Sequence, residues 1–435
     1  MTIEDARPGA TARRERAVLF TLAAVQFTNI VDFMVVMPLG PQLMRRLHIT
    51  PGQFGLIVAS YTVSAGVAGL FAASWADRFG RKAAFLVLYA GFLAGTLCCG
   101  LAPGYATLLA ARVVTGAFGG VLGAMALAII GDVFPRERIG AATGALMTAF
   151  ALASIVGVPF GLSLGARYDW HAPFLALAAL GLPFWFAASW ALPTLRGHLD
   201  PARSPASPLA EIGATLAHPN HLLAFGLIGS LMLGSFAVIP YISSYLVSNV
   251  GISERGELPW VYVAGGVLSL VGAPAIGRLA DRFGRLLVYR VAAPTAGALM
   301  LAVTLLPRVA PWAAIGLVGV MMLANAGRMV AAMAMVQAGV EPERRGSFQG
   351  ANSAVQHLAS GLGSYVGGLL IVEAADRTLL RYDRVGWFAL ACTLASLGFA
   401  AKLRVAGAVR PTSTGFALAA AAESEADPGG PLPTT

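Results

Sequence analysis

Ala76-Asp77-Arg78-Phe79-Gly80-Arg81 returns 204 residues later as Ala280-Asp281-Arg282-Phe283-Gly284-Arg285. Two further matches follow in the same order. Arg138-Ile139-Gly140 pairs with Arg344-Arg345-Gly346 at an offset of 206, and Tyr168-Asp169 pairs with Tyr382-Asp383 at 214. Matches in one order at nearly one spacing describe a duplicated unit. Each copy of the first motif is a short charged loop between two long apolar runs, so the character of those runs decides the fold.

Of the 435 residues, 57% are hydrophobic and only 12% charged, and the mean hydropathy is +0.72. A soluble domain carries roughly 25% charged residues, so a water-soluble globular fold and a largely disordered chain are both excluded. Apolar stretches near the ~20 residues that cross a bilayer occur at 17–40, 51–75, 83–102, 105–131, 139–166, 172–193, 220–249, 258–280, 286–307, 311–339, 346–373 and 384–404. They are apolar all round and too long for barrel strands, which alternate in character over about ten residues. The expectation is an all-α integral membrane protein with twelve transmembrane helices in two six-helix halves. Its parts are a cytoplasmic N-terminal arm (1–16), a first half (17–193), a cytoplasmic linker (194–219), a second half (220–404) and a disordered cytoplasmic tail (405–435). The linker is rich in Pro and Ser, as a connector between halves would be, and its 210–219 part reads as a short surface helix. The first span is too long for a cleaved signal peptide and lacks a small-residue cleavage site.

Positive charge orients the spans. Of 30 Lys and Arg, 20 lie in or beside the termini and the even-numbered connections, and 8 in the odd-numbered ones. Arg112 and Arg328 lie inside spans. The positive-inside rule places both termini in the cytoplasm, with Arg45-Arg46 and the 377–384 connection dissenting. The net charge of +9 suits the anionic cytoplasmic face of a membrane rather than nucleic acid. Cys98 and Cys99 are adjacent and Cys392 is alone, with no disulfide framework or metal spacing. Repeated halves in parallel topology place a substrate site near the midplane at their interface, reached from each side in turn.

These motifs resemble the major facilitator superfamily, over about 15–405. The family's loop between its second and third helices, G-x-L-a-D-r-x-G-r-k, is matched by Ala73-Ser74-Trp75-Ala76-Asp77-Arg78-Phe79-Gly80-Arg81-Lys82, with the first Gly and the Leu replaced. The second copy, Gly277-Arg278-Leu279-Ala280-Asp281-Arg282-Phe283-Gly284-Arg285, is closer to the pattern. Leu109-x-x-Arg112-x-x-x-Gly116 is similar to a second family motif, centred on a membrane Arg. Gly157-Val158-Pro159-Phe160-Gly161 resembles the Gly-Pro motif of drug:proton antiporters, in the Gly-Val-Pro form of bacterial sugar-efflux-like members. The resemblance is to the twelve-helix drug:H⁺ antiporter and sugar-efflux-like branch. It implies that Asp77 faces the N-terminus of the eleventh helix, near Gly346, and holds the cytoplasmic side shut. It also implies that the Gly157–Gly161 stretch limits leakage between halves; close packing is an equal reading.

The residues themselves suggest chemistry. Asp32 is the one acid deep in any span, and a charge at a helix centre costs roughly 2.5–3.5 kcal/mol on insertion scales. It lies roughly 12 Å below the outer end of the first span, and Arg112 roughly 10 Å below the same face. The two are expected to meet within the first half, with Asp32 exchanging a proton and Arg112 tuning it; a static ion pair is the competing reading. Gln26 and Asn29 share a face with Asp32 and are expected to line the cavity. In the eleventh span Gln349, Asn352, Ser353, Gln356, His357, Ser360 and Ser364 fall within about 140° of one face, as a cavity lining or a packing stripe. His357 reads either as a proton carrier or as bonded to a neighbouring helix. Arg328, with Asn325 beside it and no acid at its depth, reads as an attractor for an anionic substrate group or as paired with a carbonyl or a glutamine. Gly80 allows a tight turn, and Arg78 and Arg81 reach acids across the halves or remain solvated. Gly157/Gly161/Gly165, Gly116/Gly120 and Gly363/Gly367 suit close helix packing, and Pro159 is placed to kink the fifth span.

The resulting expectation is a secondary active transporter moving a drug, sugar or metabolite by alternating access, with proton-coupled efflux the leading mode. Proton-coupled uptake or facilitated diffusion is the close rival, and a non-transporting membrane sensor is the reading from another class. An enzyme is not expected: paired mid-membrane acids, a metal cluster, His-Glu-x-x-His and a nucleotide-phosphate loop are missing from the sequence. No cofactor is expected beyond the proton gradient as energy source. The partners are a small-molecule substrate, protons and the lipid bilayer of a plasma membrane, bacterial inner membrane included. One chain holds both halves and so suffices as a monomer.

Overall fold

A helix that is apolar on every side rests only against lipid or other such helices, and the described residues form an almost wholly helical bundle. The computed structural model describes residues 8–76, 79–193, 213, 215, 217–341 and 345–404. Asp77, Arg78, Arg344, most of the linker and the tail after 404 lie outside the described residues. The first half comprises α1 (Pro8–Val35), α2 (Gly40–Leu47), α3 (Pro51–Ala76), α4 (Arg81–Gly100), α5 (Tyr105–Val133), α6 (Arg136–Leu152), a π-helical turn at Ala153–Gly157, α7 (Val158–Arg167) and α8 (Ala172–Ala191). The second half comprises α9 (Pro219–Val238), a 3₁₀ turn at Ile239–Tyr241, α10 (Ile242–Tyr245), a π-helical turn at Leu246–Val250, α11 (Leu258–Phe283), α12 (Arg285–Thr304), α13 (Pro311–Ala338), α14 (Arg345–Leu370) and α15 (Tyr382–Lys402).

Several expected boundaries are corrected. The first helix begins at Pro8, inside the expected arm, and ends at Val35. Pro38 and Gly40 then turn the chain into α2, whose buried residues are Gly40, Pro41, Gln42, Leu43 and Met44. Eleven of the described helices are long and apolar enough to cross a membrane, against twelve expected. The remaining long helix, α14, has 26 residues, but its stripe of Gln, Asn, His and Ser lowers its hydropathy. The fifth and seventh spans are interrupted by the irregular turns, and α7 has Pro159 in its first turn. The chain between α14 and α15 folds as an antiparallel hairpin, β1 (Val372–Glu373) with β2 (Leu379–Leu380). Its turn holds Asp376, whose carboxylate accepts bonds from the Thr378 hydroxyl (2.7 Å) and amide (3.1 Å), which draw its pKa below the usual carboxylate value.

The start of α1 and the end of α15 lie on one face, the terminal face. There Arg138 at the start of α6 donates to Glu15 (2.6 Å), and Asn220 at the start of α9 donates to the carbonyls of Gly339 and Arg404. On the opposite, far face, one continuous apolar core joins the two halves, running from Leu39, Leu43 and Phe54 to Tyr241, Leu246 and Ile371. Toward the terminal face the core divides. One cluster, including Leu22, Phe85, Leu122 and Ile129, belongs wholly to the first half, and another, including Ile228, Tyr289, Val336 and Phe348, wholly to the second.

Small residues permit the closure. A Cβ at Gly55 would strike Tyr241 and the Ser364 carbonyl, and one at Gly361 would strike Val63 and Thr62. These contacts bring α3 and α14 together across the halves. At Gly66 a Cβ would sit 3.1 Å from the Cβ of His357, whereas at Gly69, Gly346 and Gly350 it would meet nothing within 4 Å among the described residues. The halves therefore part just beyond Gly66. On the other side of the molecule Gly266 of α11 rests against Ser154 and Ile155 of the first π turn. Tyr241 Oη donates to Ser364 O (2.6 Å) and reaches Pro51 O of the first half (3.3 Å). Arg45 of α2 pairs with Glu254 of the second half at 2.5 Å, which gives one of the dissenting arginines its partner.

Candidate functional site

Two charged centres are buried in the bundle, one in each half. In the first, Asp32 of α1 and Arg112 of α5 meet at 2.6 Å, at 0% and 1% exposure. The other Asp32 oxygen accepts from Thr96 of α4 (3.1 Å). The guanidinium also lies 4.4 Å over the ring of Tyr61 on α3, an attractive placement for a cation on an aromatic face. Tyr61 donates to Asn29 Oδ1 (2.9 Å), and Asn29 donates to Gly119 O (3.0 Å). Four helices thus share one network. A buried pair of this kind repays its desolvation only when further bonds satisfy the remaining polar atoms; here both carboxylate oxygens are bonded, while Arg112 Nε is buried with no hydrogen-bond partner among the described residues.

The expected meeting of Asp32 and Arg112 is present. The expected cavity placement of Asn29 is corrected. Asn29 is tied into the α1–α3–α5 packing, because Gly119 lets α5 approach α1 closely. Gln26 lies beside Gly123 of α5, with a buried Oε1 that accepts no hydrogen bond.

In the second half Arg328 of α13 is 1% exposed and has no carboxylate beside it. It donates to Asn325 Oδ1 (3.0 Å), Thr393 Oγ1 of α15 (3.0 Å) and Ser235 Oγ of α9 (2.8 Å), and contacts the Met300 sulfur of α12 (3.5 Å). These partners are neutral side chains rather than the expected carbonyl or glutamine, and the Arg328 side chain points into the second half's own packing. Asn325 is partly exposed and joins Ser235 (3.3 Å). Phe236 follows Ser235 in α9. Its ring lies 6.0 Å from that of Phe33, which in turn lies 5.2 Å from Tyr61. A short aromatic chain therefore crosses the interface between the two charged centres.

The polar stripe of α14 lies opposite its lipid side, which carries exposed Leu358, Leu362 and Leu369. Ser360 and Ser364 bond their own helix, and Gln349 accepts from Gln337. The Gln356 and His357 side chains make no hydrogen bond among the described residues, and both amide atoms of fully buried Asn352 are unpartnered. The stripe thus carries unpartnered polar groups next to the point where the halves part.

Of the charged-loop contacts, the one expected of Arg81 is corrected. Arg81 pairs with Asp132 at the end of α5, in its own half rather than across, because the halves are separated on this face. Gly80 has φ −57°, open to any residue, while Gly284 has φ +93°. In the second copy Asp281 and Arg282 are exposed, the Arg282 guanidinium lies over Phe283, and Arg285 donates to Ala334 O (3.1 Å). Gly157 and Gly161 face Val31 and Val35 of α1 and Gly165 faces Leu39 just before α2, so this ridge packs inside the first half. Nothing in the sequence marks Tyr61, Thr96, Ser235 or Thr393, which read as ordinary helix residues until their partners on other helices are known.

The family model of the Major Facilitator Superfamily matches residues 22–364. The MFS-type transporter YceJ of Bacillus subtilis (strain 168) is 25% identical over 352 residues, 80% of this chain and 87% of that protein. The chloramphenicol efflux pump MT0201 of Mycobacterium tuberculosis (strain CDC 1551 / Oshkosh) is 26% identical over 254 residues, 57% of this chain and 59% of that protein. Among solved structures, a bacterial homolog of the human lysosomal transporter Spinster, inward-facing and occupied, superposes with a TM-score of 0.69 at 17% identity, covering 91% of this chain and 96% of that one.

Proposed function

The chain belongs to the Major Facilitator Superfamily, and from that premise we propose that it is a proton-coupled exporter of small molecules working by alternating access. The observation that carries the reading is the buried Asp32–Arg112 pair. A lone acid deep in a transporter's spans is a group that binds and releases a proton. When Asp32 takes a proton, its hold on Arg112 weakens, and the guanidinium shifts its weight to Tyr61. Tyr61 stands on α3, the helix by which the first half meets α14. Protonation at Asp32 thereby reaches the surface on which the halves rock. Repeated halves closing around a midplane site are the general device of such carriers.

The excess of positive charge on the terminal face supports cytoplasmic termini in a plasma membrane. The separation of the halves on that face then corresponds to an inward-open state. The efflux direction is drawn from the named activity of the M. tuberculosis relative. The deciding assay uses purified protein in liposomes with an imposed pH gradient and a trapped pH dye. Chloramphenicol, sugars, organic anions and cationic drugs are added one at a time. Substrate-dependent collapse of the gradient, lost in Asp32→Asn, is expected. Tracer movement without collapse, or full coupling in Asp32→Asn, overturns the proton-coupled reading.

A further inference from the structure

Among the described residues, the Asp, Glu, Lys and Arg side chains deep in the membrane layer are those of Asp32, Arg112 and Arg328. The first two neutralise each other at 2.6 Å. Arg328 is neutralised by nothing: its partners are an amide, two hydroxyls and a thioether. We propose that this leaves the transport cavity with a net positive field, and that Arg328 thereby selects uncharged or anionic substrates and rejects organic cations. The proposal rests on the transporter reading above and names its substrate class.

The geometry places that field where a substrate would feel it. Ser235, which holds Arg328, is followed by Phe236, and Phe236 meets Phe33 of the first half across the interface. Asn325, the other ligand on the same side, is partly exposed. The nearby α14 stripe adds amides, hydroxyls and an imidazole but no carboxylate. Salt screens a buried charge poorly, so its influence extends past the first layer of neutral groups. Loading Asp32 with a proton makes the site more positive still, so no step of the cycle offers a cation a counter-charge. Arg328 itself is sealed by its ligands and does not touch the substrate. It acts through its field and is a selectivity residue at one remove.

Tetraphenylborate and tetraphenylphosphonium test this directly, being matched in size and opposite in charge. Each is equilibrated with the full-length protein in nanodiscs, and uptake by protein-free nanodiscs is subtracted. The wild type is expected to hold the borate tighter than the phosphonium by on the order of tenfold or more, since a unit charge still acts across about 10 Å of protein interior. Ser235→Asp places a carboxylate against Arg328 without removing the guanidinium and is expected to bring the ratio close to one. Ser235→Asn, similar in size and neutral, is expected to keep it. Equal binding by the wild type, a preference for the phosphonium, binding of neither probe, or an unchanged ratio in folded Ser235→Asp overturns the proposal. The assay uses no gradient, so a failure of proton coupling leaves this result standing, and the reverse also holds.

Discussion

Arg112 and Arg328 are both guanidinium groups sealed at 1% exposure inside a membrane bundle, and they are accommodated by different means. Arg112 faces a carboxylate that is itself held by Thr96, in a network spanning α1, α3, α4 and α5. Arg328 is surrounded by neutral acceptors from α9, α13 and α15. Each half buries a guanidinium, but only the first sets a carboxylate against it. On the function proposed above, the first half is where the proton is exchanged and the second is where the potential is set. The lesson is that an acid beside a buried cation makes a mutually stabilised charge pair, whereas hydroxyls and amides beside it leave its charge unbalanced.

The contrast breaks most sharply on deletion. Arg112→Ala leaves Asp32 buried without its partner and is expected to lower stability by about 3–5 kcal/mol. Arg328→Ala leaves only neutral acceptors unsatisfied and is expected to lower it by about 1–3 kcal/mol. Thermal unfolding of both variants in detergent compares them; equal losses would show that the two centres are not different in kind. The interface comes next. Gly361→Leu drives a side chain into Val63 and Thr62, and overpacking of about 1–3 kcal/mol is expected to depopulate the state closed on the far face. Spin-label distances between the far ends of α3 and α14 read this as a broadened, longer distribution.

The two loop copies sharpen the comparison at smaller scale. Gly284→Ala forces a side chain into φ +93° and is expected to cost about 1–3 kcal/mol. Gly80→Ala, at φ −57°, is expected to stay within about 0.5 kcal/mol. Paired melting curves decide between these values. Smallest is the Arg45–Glu254 tie on the far face. Glu254→Gln is expected to change stability by about 0–1 kcal/mol, an effect that added salt erases; its signature is a loss of salt dependence in far-face accessibility.

Much of this was legible along the chain. The repeated Ala-Asp-Arg-Phe-Gly-Arg motif announced two halves, and the long apolar runs announced membrane helices. Asp32 and Arg112 stood out because each is an isolated charge at matching depth on a helix whose direction the alternation of spans dictates. The polar stripe of α14 was visible as an angular pattern, although the same polarity places that helix outside the eleven apolar ones. Less was legible wherever a partner had to be chosen from another helix. Asn29 was expected in the cavity and instead bonds Gly119; Arg81 was expected to reach across the halves and instead pairs with Asp132.

Composition and depth are properties of one helix and can be counted along it, so the sequence by itself determined the membrane fold, the duplication and the meeting of Asp32 with Arg112. Rotation, tilt and approach of one helix against another follow from which small residues let backbones close. Gly119 under Asn29, Gly361 under Val63 and the Gly157–Gly161 ridge under α1 are such choices. Only the tertiary structure decided that Arg328 would be ringed by Ser235, Thr393 and Asn325, and that the halves would join on the far face and part beyond Gly66.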